Sequence, residues 1–387
     1  MLSTSLMAQW VTVGNAGFSG GISSLTAIAL DGNGTPYVVY LEQIPKFRSA
    51  PNKISVMKYD GSSWVFVGME GFSSAHSQSP CIDIAPDGTP YVAFSDGDYS
   101  QKTTVMKFNG TSWVVVGSAG FSSGIAYNVS IQINPGGIPY VAFEDVSQSK
   151  RATVMKFDGS AWVNVGAPGF TVGEAWSPDL ALDASGVPYV VFSDKHENYF
   201  ATVMKYNSTT TAWDTVGVTG FSGHQITSPK ITFNNANVPY VVYCDVTQSG
   251  RSTVKKFNGS TWETVGPLGF SGGVVVHPYI AIDGNEMPYV AYADVSHSGK
   301  PSVMKFENAT WSYVGTQYLS DTTADYTSIA IDGYGSPFVV FRDSGHSRKA
   351  TVKKYDVRPV PLSDWAIYFG LFLVLLYLAY RYRRIVA

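Results

Sequence analysis

The chain has 387 residues, a formal net charge of -3 and no dense block of basic residues, which argues against nucleic acid as a partner. Aromatic residues make up 14% of the chain and charged residues only 14%, beside 38 glycines and 20 prolines. This composition favours short strands joined by tight turns over helices. We therefore expect an all-β architecture for the soluble part of the protein.

The first segment, residues 1–8, is apolar and ends in the small residue Ala8. It is similar to the last part of a secretory signal peptide, but it lacks the basic residues with which such peptides begin. We interpret it as a signal-peptide remnant, with a simple apolar lead-in as the alternative.

Seven copies of one unit follow the leader. Tryptophan marks one position of the unit and a proline before an aromatic residue marks another, and both series advance by 54, 49, 49, 51, 49 and 49 residues. The two series are Trp10, Trp64, Trp113, Trp162, Trp213, Trp262 and Trp311, and Pro36, Pro90, Pro139, Pro188, Pro239, Pro288 and Pro337.

Each unit predicts four short antiparallel strands. Asp60 and Gly61 show the signal for a tight hairpin between the third and fourth strands, because both residue types tolerate positive φ. Examples of the four strands in order are Ser328 to Asp332, Pro90 to Phe94, Thr153 to Phe157 and Trp113 to Gly117. Residues 9–356 are therefore predicted to form a seven-bladed β-propeller of four-stranded antiparallel blades.

The two ends of the repeat region predict how the ring closes. The chain begins with a lone fourth strand, Gln9 to Gly14, and the last unit stops after its third strand, Ala350 to Tyr355. We predict that the N-terminal strand completes the seventh blade and closes the ring without a covalent bond.

Residues that recur in most units are interpreted as parts of the scaffold. An acid after the second strand faces a basic residue before the third, which predicts weak opposite-charge pairs across each hairpin; a metal site in each blade is the alternative. The acids are Glu42, Asp96, Asp145, Asp194, Asp245, Asp294 and Asp343, and the basic residues are Lys53, Lys102, Arg151, Arg251, Lys300 and Lys349. No metal or other cofactor is predicted.

The recurrent aromatic residues and lysines also have structural interpretations. Each Trp and the Phe eight residues later, such as Trp113 and Phe121, are expected to pack blade against blade. The lysines of the third strands, such as Lys58, are expected to lie along an aromatic ring of the second strand. Cys81 and Cys244 occupy different repeat positions, so we predict two unpaired, buried thiols.

Strand direction separates the loops onto two faces. The loops from strand one to two and from three to four are tight turns on one face. The loops from strand two to three and from four to one, about eight to twelve residues long, share the other face and vary most between units. This variable face is the expected binding surface.

A site for one ligand must break the sevenfold regularity, so we take the irregular residues of the variable face as candidates. Their aromatic, amide, carboxylate and imidazole groups suit sugar recognition, although each taken singly fits a solvated loop position. The candidates are His76, Gln78, Tyr127, Asn128, Glu174, Trp176, Asp179, His196 to Tyr199, His224, Gln225, Lys230, His277, Asp325 and Tyr326.

Catalysis has weaker support in the sequence. Glu174, Asp179 and Asp325 offer the two carboxylates that a glycosidase needs, but no catalytic triad, metal-ligand spacing or phosphate-binding loop is present. No catalytic residue is assigned.

The last part of the chain departs from the repeat. Residues 357–364 are predicted as a linker, and residues 365–387 as one transmembrane helix with a basic tail, because Trp365 to Tyr380 carries no charge and Arg381 to Arg384 follows it. The arginines predict a cytoplasmic C-terminus and a propeller outside the membrane. A buried soluble helix is the alternative.

Val360 to Trp365, the apolar helix and the arginines resemble the C-terminal sorting tails of bacterial exosortase substrates, of the type with an Ile-Pro-Thr-Leu-Ser-Glu-Trp signature. The chain lacks the Thr and has Asp364 in place of the Glu. The resemblance implies removal of the helix by a sorting protease and delivery to the cell surface. The repeat itself resembles those of bacterial surface propellers.

These observations lead to an expected function. The leading hypothesis is a secreted or surface-displayed propeller that binds a glycan or a surface protein through its variable face. A polysaccharide-active enzyme (a glycosidase or lyase) and a structural protein of the envelope matrix are the alternatives.

Overall fold

The computed structural model describes residues 8–43, 52–74 and 76–357, together with Phe369, Phe372, Leu373 and Tyr377. The strands between Trp10 and Tyr355 form seven four-stranded antiparallel sheets. The innermost strand of each sheet contacts the innermost strands of its two neighbours, and the first contacts the last, so that the sheets form a ring. This confirms the predicted seven-bladed, all-β propeller.

The blades are numbered by their innermost strands, and blade 7 receives its outermost strand from the N-terminus. The innermost strands are β2 (Ile22–Leu30), β6 (Gln78–Ile84), β10 (Ala126–Ile133), β14 (Ala175–Leu182), β18 (Ile226–Phe233), β22 (Val275–Ile282) and β26 (Ala324–Ile331). The second strands are β3 (Pro36–Gln43), β7 (Pro90–Asp96), β11 (Pro139–Asp145), β15 (Pro188–Asp194), β19 (Pro239–Asp245), β23 (Pro288–Asp294) and β27 (Pro337–Asp343).

The third strand of each blade has seven or eight residues, whereas the outermost strand has only three or four. The third strands are β4 (Lys53–Tyr59), β8 (Lys102–Phe108), β12 (Arg151–Phe157), β16 (Phe200–Asn207), β20 (Arg251–Phe257), β24 (Lys300–Glu307) and β28 (Lys349–Tyr355). The outermost strands are β1 (Trp10–Thr12), β5 (Trp64–Phe66), β9 (Trp113–Val115), β13 (Trp162–Asn164), β17 (Ala212–Thr215), β21 (Trp262–Thr264) and β25 (Thr310–Tyr313).

The N-terminal strand closes the ring as predicted. Strand β1 pairs antiparallel with β28, with Trp10 opposite Tyr355. The Val13 amide donates to the Val352 carbonyl at 3.0 Å, and the Trp10 indole donates to the Val314 carbonyl at 2.6 Å. Blade 7 is therefore assembled from both ends of the repeat region.

The recurrent tryptophans join neighbouring blades, which confirms the packing interpretation. Phe121 stacks on Trp162 of the next blade with ring centroids 4.2 Å apart, and the Trp162 indole donates to the Val116 carbonyl at 2.7 Å. Five further Phe–Trp pairs stack in the same way, with centroids 3.9–4.4 Å apart. Leu319 occupies the phenylalanine position before Trp10, so this one junction has no stacked ring.

This exception suggests a stability test. Phe121→Leu copies the residue of the seventh junction into a stacked one and should lower the free energy of unfolding by about 1 kcal/mol, because the ring stacking is lost while most apolar contact is kept. Urea unfolding measures the change. The reverse variant, Leu319→Phe, is the control, and an equal loss of stability in both would show that stacking is not the cause.

The prediction of opposite-charge pairs between the recurrent acids and the basic residues across each hairpin is wrong. Asp145 and Arg151 do lie opposite each other in the hairpin, but Asp145 is buried and accepts hydrogen bonds from the Thr153 hydroxyl at 2.9 Å and the Ser147 amide at 3.0 Å. In the described part of the chain, no recurrent acid lies within ion-pair distance of the opposing Lys or Arg. The acid instead fixes the loop, because a buried carboxylate needs hydrogen-bond donors close by.

The loop lengths are also corrected. The second and third strands extend through the acid and the basic residue, so that in blade 2, for example, only residues 97–101 connect them. The predicted eight to twelve residues therefore hold for the loops that join blades and, by residue count, for the hairpin of blade 1, residues 44–52. They do not hold for the hairpins between strands two and three of the other six blades.

Two further predictions concern the cysteines and the lysines of the third strands. Both cysteines are unpaired, with Cys244 buried and Cys81 half-buried. Lys58, Lys107 and Lys354 lie over the rings of Tyr37, Tyr91 and Phe338, with Nζ 4.8–6.0 Å from the ring centroids.

The leader over residues 1–7 and nearly all of residues 358–387 lie outside the described residues. Among the described residues, no helix has the length and apolar character needed to cross a membrane.

Candidate functional site

The seven innermost strands line a central channel with a volume of about 570 Å³. Each of these strands has a pairing irregularity near its start, and one residue there adopts a left-handed conformation with φ between 49° and 52°. We call this residue the bulge residue. In chain order the bulge residues are Leu25, Ser79, Asn128, Ser177, Ser228, His277 and Tyr326.

The bulge corrects the predicted start of the first strand. The alternation of apolar and polar residues is interrupted at the bulge residue, so the sequence pattern indicated a strand only from Ser328 onward, whereas β26 begins at Ala324. Nine candidates predicted on loops therefore lie in innermost strands. They are Gln78, Tyr127, Asn128, Trp176, Asp179, Lys230, His277, Asp325 and Tyr326.

The channel wall is chemically uneven around the ring. Two residues after the bulge, blades 4, 5 and 6 carry Asp179, Lys230 and Tyr279. The same position holds Ala27, Cys81 and Ser130 in blades 1, 2 and 3, and Ser328 in blade 7. Asp179, Lys230 and Tyr279 therefore form a polar sector of the channel wall in blades 4, 5 and 6.

Asp179, Lys230 and Tyr279 form one network. The Lys230 ammonium lies 2.9 Å from Asp179 Oδ1 and 4.7 Å from the centre of the Tyr279 ring. The Ile231 amide donates to Asp179 Oδ2 at 3.0 Å. Burial lowers the pKa of Lys230, but the Asp179 carboxylate and Tyr279 outweigh this effect and hold the pKa above its usual range. Lys230 is therefore charged at neutral pH.

A second group of charged and aromatic residues lies beside this network. Asp325 receives hydrogen bonds from the Arg342 guanidinium, including one from Nε at 2.6 Å, and the guanidinium lies 4.9 Å from the Tyr326 ring centre. The His277 ring is 5.2 Å from the Tyr326 ring. Burial lowers the pKa of His277, and the cations Lys230 and Arg342 lower it further against the opposing effect of Asp325. His277 is thus uncharged at neutral pH.

The carboxyl group of Asp83 also lies in the channel wall. It accepts hydrogen bonds from the amides of Ile133 at 2.7 Å and Ile84 at 2.9 Å. Burial nevertheless raises its pKa to about 6. Asp83 was not among the predicted candidates, because it lies in the regular part of its strand.

The raised pKa predicts a pH dependence of stability. The folded state favours protonated Asp83, so the free energy of unfolding is highest, as far as this group is concerned, below pH 4. It should fall by about 2–3 kcal/mol as the pH rises from 4 through 6. Asp83→Asn should remove this part of the loss in urea unfolding between pH 4 and 7. Asp87→Asn is the control of opposite sign, because backbone and side-chain hydrogen bonds from Thr89 lower the pKa of that carboxyl. An unchanged pH profile in Asp83→Asn would contradict the prediction.

Trp176 forms an exposed aromatic cluster at the channel rim, next to the bulge residue of blade 4. Its indole Nε1 donates to Glu174 Oε2 at 3.0 Å, and Glu174 Oε1 is 2.6 Å from the Lys195 ammonium. The Tyr199 ring meets it edge to face at 5.7 Å, and Lys150 Nζ lies 5.7 Å from the indole centre. The indole is 44% exposed although it is held by these partners.

Blade 3 carries a related pair at the same positions. Tyr127 matches Trp176 in the repeat and is also exposed. Asn128 donates to Glu144 at 2.6 Å, and the same carboxylate accepts the Ser177 amide of blade 4 at 2.9 Å. The Tyr127 and Trp176 rings therefore belong to neighbouring blades that are joined by a buried carboxylate. We call Tyr127, Trp176 and Tyr199 the aromatic rim.

The other candidates lie apart from the channel lining. His76 and Gln78 are exposed near the start of blade 2, and Gln225 is exposed near the start of blade 5. His224 Nδ1 lies 3.4 Å from the buried Asp245, and His196 belongs to the hairpin loop of blade 4, where its amide donates to Asp194. None of these residues is among the lining residues of the channel.

Several residues of the site were not predicted. Tyr279, Arg342 and Glu144 lie in strands, where repeat positions suggested scaffold roles, and Lys150 and Lys195 lie in hairpin loops. Comparison of the seven units at each position would have revealed Tyr279 and Arg342 as exceptions. In the part of the chain that the structure describes, no group of three or more possible metal-ligating side chains was found.

Comparisons with known proteins agree on the fold. No protein-family model matches the chain, and a search of curated proteins found no match. A polysaccharide lyase described as an ulvan lyase matches with a TM-score of 0.55 and 10% identity, over 89% of this chain and 95% of that one.

Two further solved structures have similar scores. The lectin of Aleuria aurantia, in complex with Fucα1-6GlcNAc, matches with a TM-score of 0.50 and 12% identity, over 79% of this chain and 100% of that one. A protein of unknown function from Dyadobacter fermentans matches with a TM-score of 0.51 and 11% identity, over 90% and 98% of the two chains. At these identities the likeness shows a shared propeller fold and nothing finer.

Proposed function

We propose that the protein binds glycans at the aromatic rim and the adjoining channel mouth. The observation that carries the proposal is Trp176, an exposed indole held in one orientation by Glu174 and Tyr199. Sugar rings present C–H faces that stack on such a surface, while their hydroxyls need both donors and acceptors nearby. Lys195, Glu174 and Lys150 offer both kinds of group around the ring.

The arrangement of the rim supports a ligand longer than one sugar. Tyr127 and Trp176 occupy equivalent positions of neighbouring blades and are both exposed. Two aromatic surfaces in a row suit consecutive sugar units of a chain, and the rigid blades reduce the entropy lost on binding. The lectin and the polysaccharide lyase named above, whose structures share this fold, provide supporting analogies of the same ligand class.

A glycan array with purified propeller tests the proposal. Trp176→Ala should lower the affinity for any bound glycan about fivefold or more, because a stacked aromatic ring contributes about 1 kcal/mol or more. Tyr334→Ala is the matched control, since Tyr334 is 69% exposed and lies in a turn of the opposite face. An array without any bound glycan, or equal losses in the two variants, would reject the proposal.

A polysaccharide-active enzyme is the second candidate, and one observation favours it. His277 is uncharged at neutral pH in the channel wall, as a general base requires. The glycosidase version has less support, because Glu174, Asp179 and Asp325 are each paired with a cation, whereas a general acid must hold a proton. Reducing-end and ultraviolet assays on a panel of polysaccharides, with His277→Ala as the comparison, test this candidate.

We also propose display of the propeller outside the cell, anchored at least transiently by the predicted helix over residues 365–387. The uncharged run before Arg381 and its resemblance to sorting tails support this proposal. Cell fractionation of the full chain and of a chain ending at residue 357 provides the test. Equal amounts of both chains in the cytoplasm would count against it.

A further inference from the structure

Three basic side chains from consecutive blades lie in the channel wall or directly behind it. Lys230 is on β18, His277 on β22 and Arg342 on β27, where it stacks on Tyr326 of the channel wall. Each permanent cation is paired with one carboxylate, Lys230 with Asp179 and Arg342 with Asp325. With His277 neutral, the charges of these five groups therefore sum to zero.

This charge balance has a consequence for ligands. A neutral sugar leaves the balance unchanged, whereas a carboxylate seated among the three basic groups leaves the cluster one charge negative. That negative charge favours a proton on His277, because an opposite charge nearby stabilises imidazolium. The channel volume of about 570 Å³ lies within the usual range of small-molecule sites.

The elements around His277 carry several further titratable groups. Its strand, β22, carries Tyr279, and the neighbouring β26 carries Tyr326 and Asp325. The second strands packed against β22 end in the buried acids Asp245 and Asp294, and the third strand β20 carries Arg251, Lys255 and Lys256. Of these groups, Asp325 raises the pKa of His277, whereas Lys230 and Arg342 lower it.

We propose that the channel sector formed by Lys230, His277 and Arg342 binds the carboxylate of an acidic sugar, and that His277 takes up a proton when it does. The inference rests on the proposed glycan binding for the identity of the ligand as a sugar. It adds the chemical class, a uronic acid, and a second site separate from the aromatic rim.

Calorimetry with free glucuronate and with glucose tests the inference directly. Glucuronate should bind more tightly as the pH falls from 8 to 5.5, by up to about tenfold per pH unit, because its carboxylate stays ionised over this range while His277 gains a proton. Titrations in two buffers of different ionisation enthalpy should show uptake approaching one proton. Equal binding of glucose and glucuronate, or pH-independent binding, would overturn the inference.

Two variants link the proton to His277. His277→Asn copies the bulge residue of blade 3, Asn128, and asparagine tolerates the left-handed conformation; the variant should bind glucuronate without the pH dependence. His76→Asn is the matched control, because His76 also has positive φ but lies outside the channel lining. A pH dependence retained in His277→Asn, or lost in His76→Asn, would assign the proton elsewhere and overturn the proposal.

Two further arms separate the possible causes. The double variant Asp179→Asn with Lys230→Met removes the ion pair as a unit and should weaken glucuronate binding while keeping the fold. Inorganic sulfate that competed as strongly as glucuronate would overturn the sugar specificity. A glycan array without any bound glycan beside intact glucuronate binding rejects only the aromatic rim, and the reverse result rejects only the channel site.

Discussion

Trp10→Ala should lower the free energy of unfolding by about 3–5 kcal/mol, the usual cost of truncating a large packed aromatic residue. The Trp10 indole packs at 5.4 Å against Tyr355 and donates to Val314, so that it connects three parts of the last two blades. Its strand, β1, belongs to the sheet of blade 7 and continues along the chain into blade 1. Loss of this contact therefore weakens the ring at its one seam.

The measurement is urea unfolding of the propeller, followed by tryptophan fluorescence and circular dichroism. Val11→Ala is the matched control, since Val11 lies on the same strand, is 39% exposed and should change stability by less than about 0.5 kcal/mol. Deletion of residues 9–14 should have a larger effect than Trp10→Ala, because the hydrogen bonds from Val13 to Val352 and from Lys353 to Thr12 are lost as well. A deletion variant as stable as the parent would refute the closure of the ring by β1.

Asp179→Ala should lower the free energy of unfolding by about 3 kcal/mol, near the lower end of the range for a broken buried ion pair. The substitution leaves the Lys230 ammonium without its carboxylate and the Ile231 amide without its acceptor. The loss lies at the lower end of that range because the side chains of Lys230 and Asp179 retain 25% and 12% exposure, so that water screens the pair. The channel wall between blades 4 and 5 should be the part that loosens.

A double-mutant cycle isolates the ion pair. Lys230→Met in the Asp179→Ala background should recover part of the loss, since it removes the unpaired charge, and urea unfolding of the four proteins gives the interaction energy. Asp158→Asn is the matched control for loss of a carboxylate, because Asp158 lies in an exposed turn of blade 3. Additive effects of the two channel substitutions would show that the pair does not stabilise the wall.

The blade architecture could be predicted from sequence because its signals are local and repeated. Tryptophans equivalent to Trp113 and prolines equivalent to Pro139 recur at intervals of 49 to 54 residues. The pair Asp60 and Gly61 favours a tight hairpin turn because both residue types tolerate positive φ. Even the role of the lone N-terminal strand followed from counting strands, because an unpaired edge must find a partner. Each of these inferences needs only neighbours in the chain or the number of repeats.

The candidate site was predicted in part. Trp176, Asp179, Lys230 and His277 were selected because they depart from the repeat, and the structure places all of them at the channel or its rim. His224 and Gln225 met the same criterion but lie away from it. In the sequence, the bulge residue breaks the alternation of apolar and polar residues that identifies a strand. Residues of the innermost strands therefore could not be told apart from loop residues such as His224 and Gln225.

The sequence by itself determined that seven similar blades form and that the N-terminal strand joins the last one. Only the tertiary structure decided which irregular side chains meet, because Asp179, Lys230, His277 and Arg342 are separated by whole blades along the chain. Their distances depend on how the blades pack around one axis. That packing also sets their burial and the fields they impose on one another, and hence the charge of His277 on which the proposed site depends.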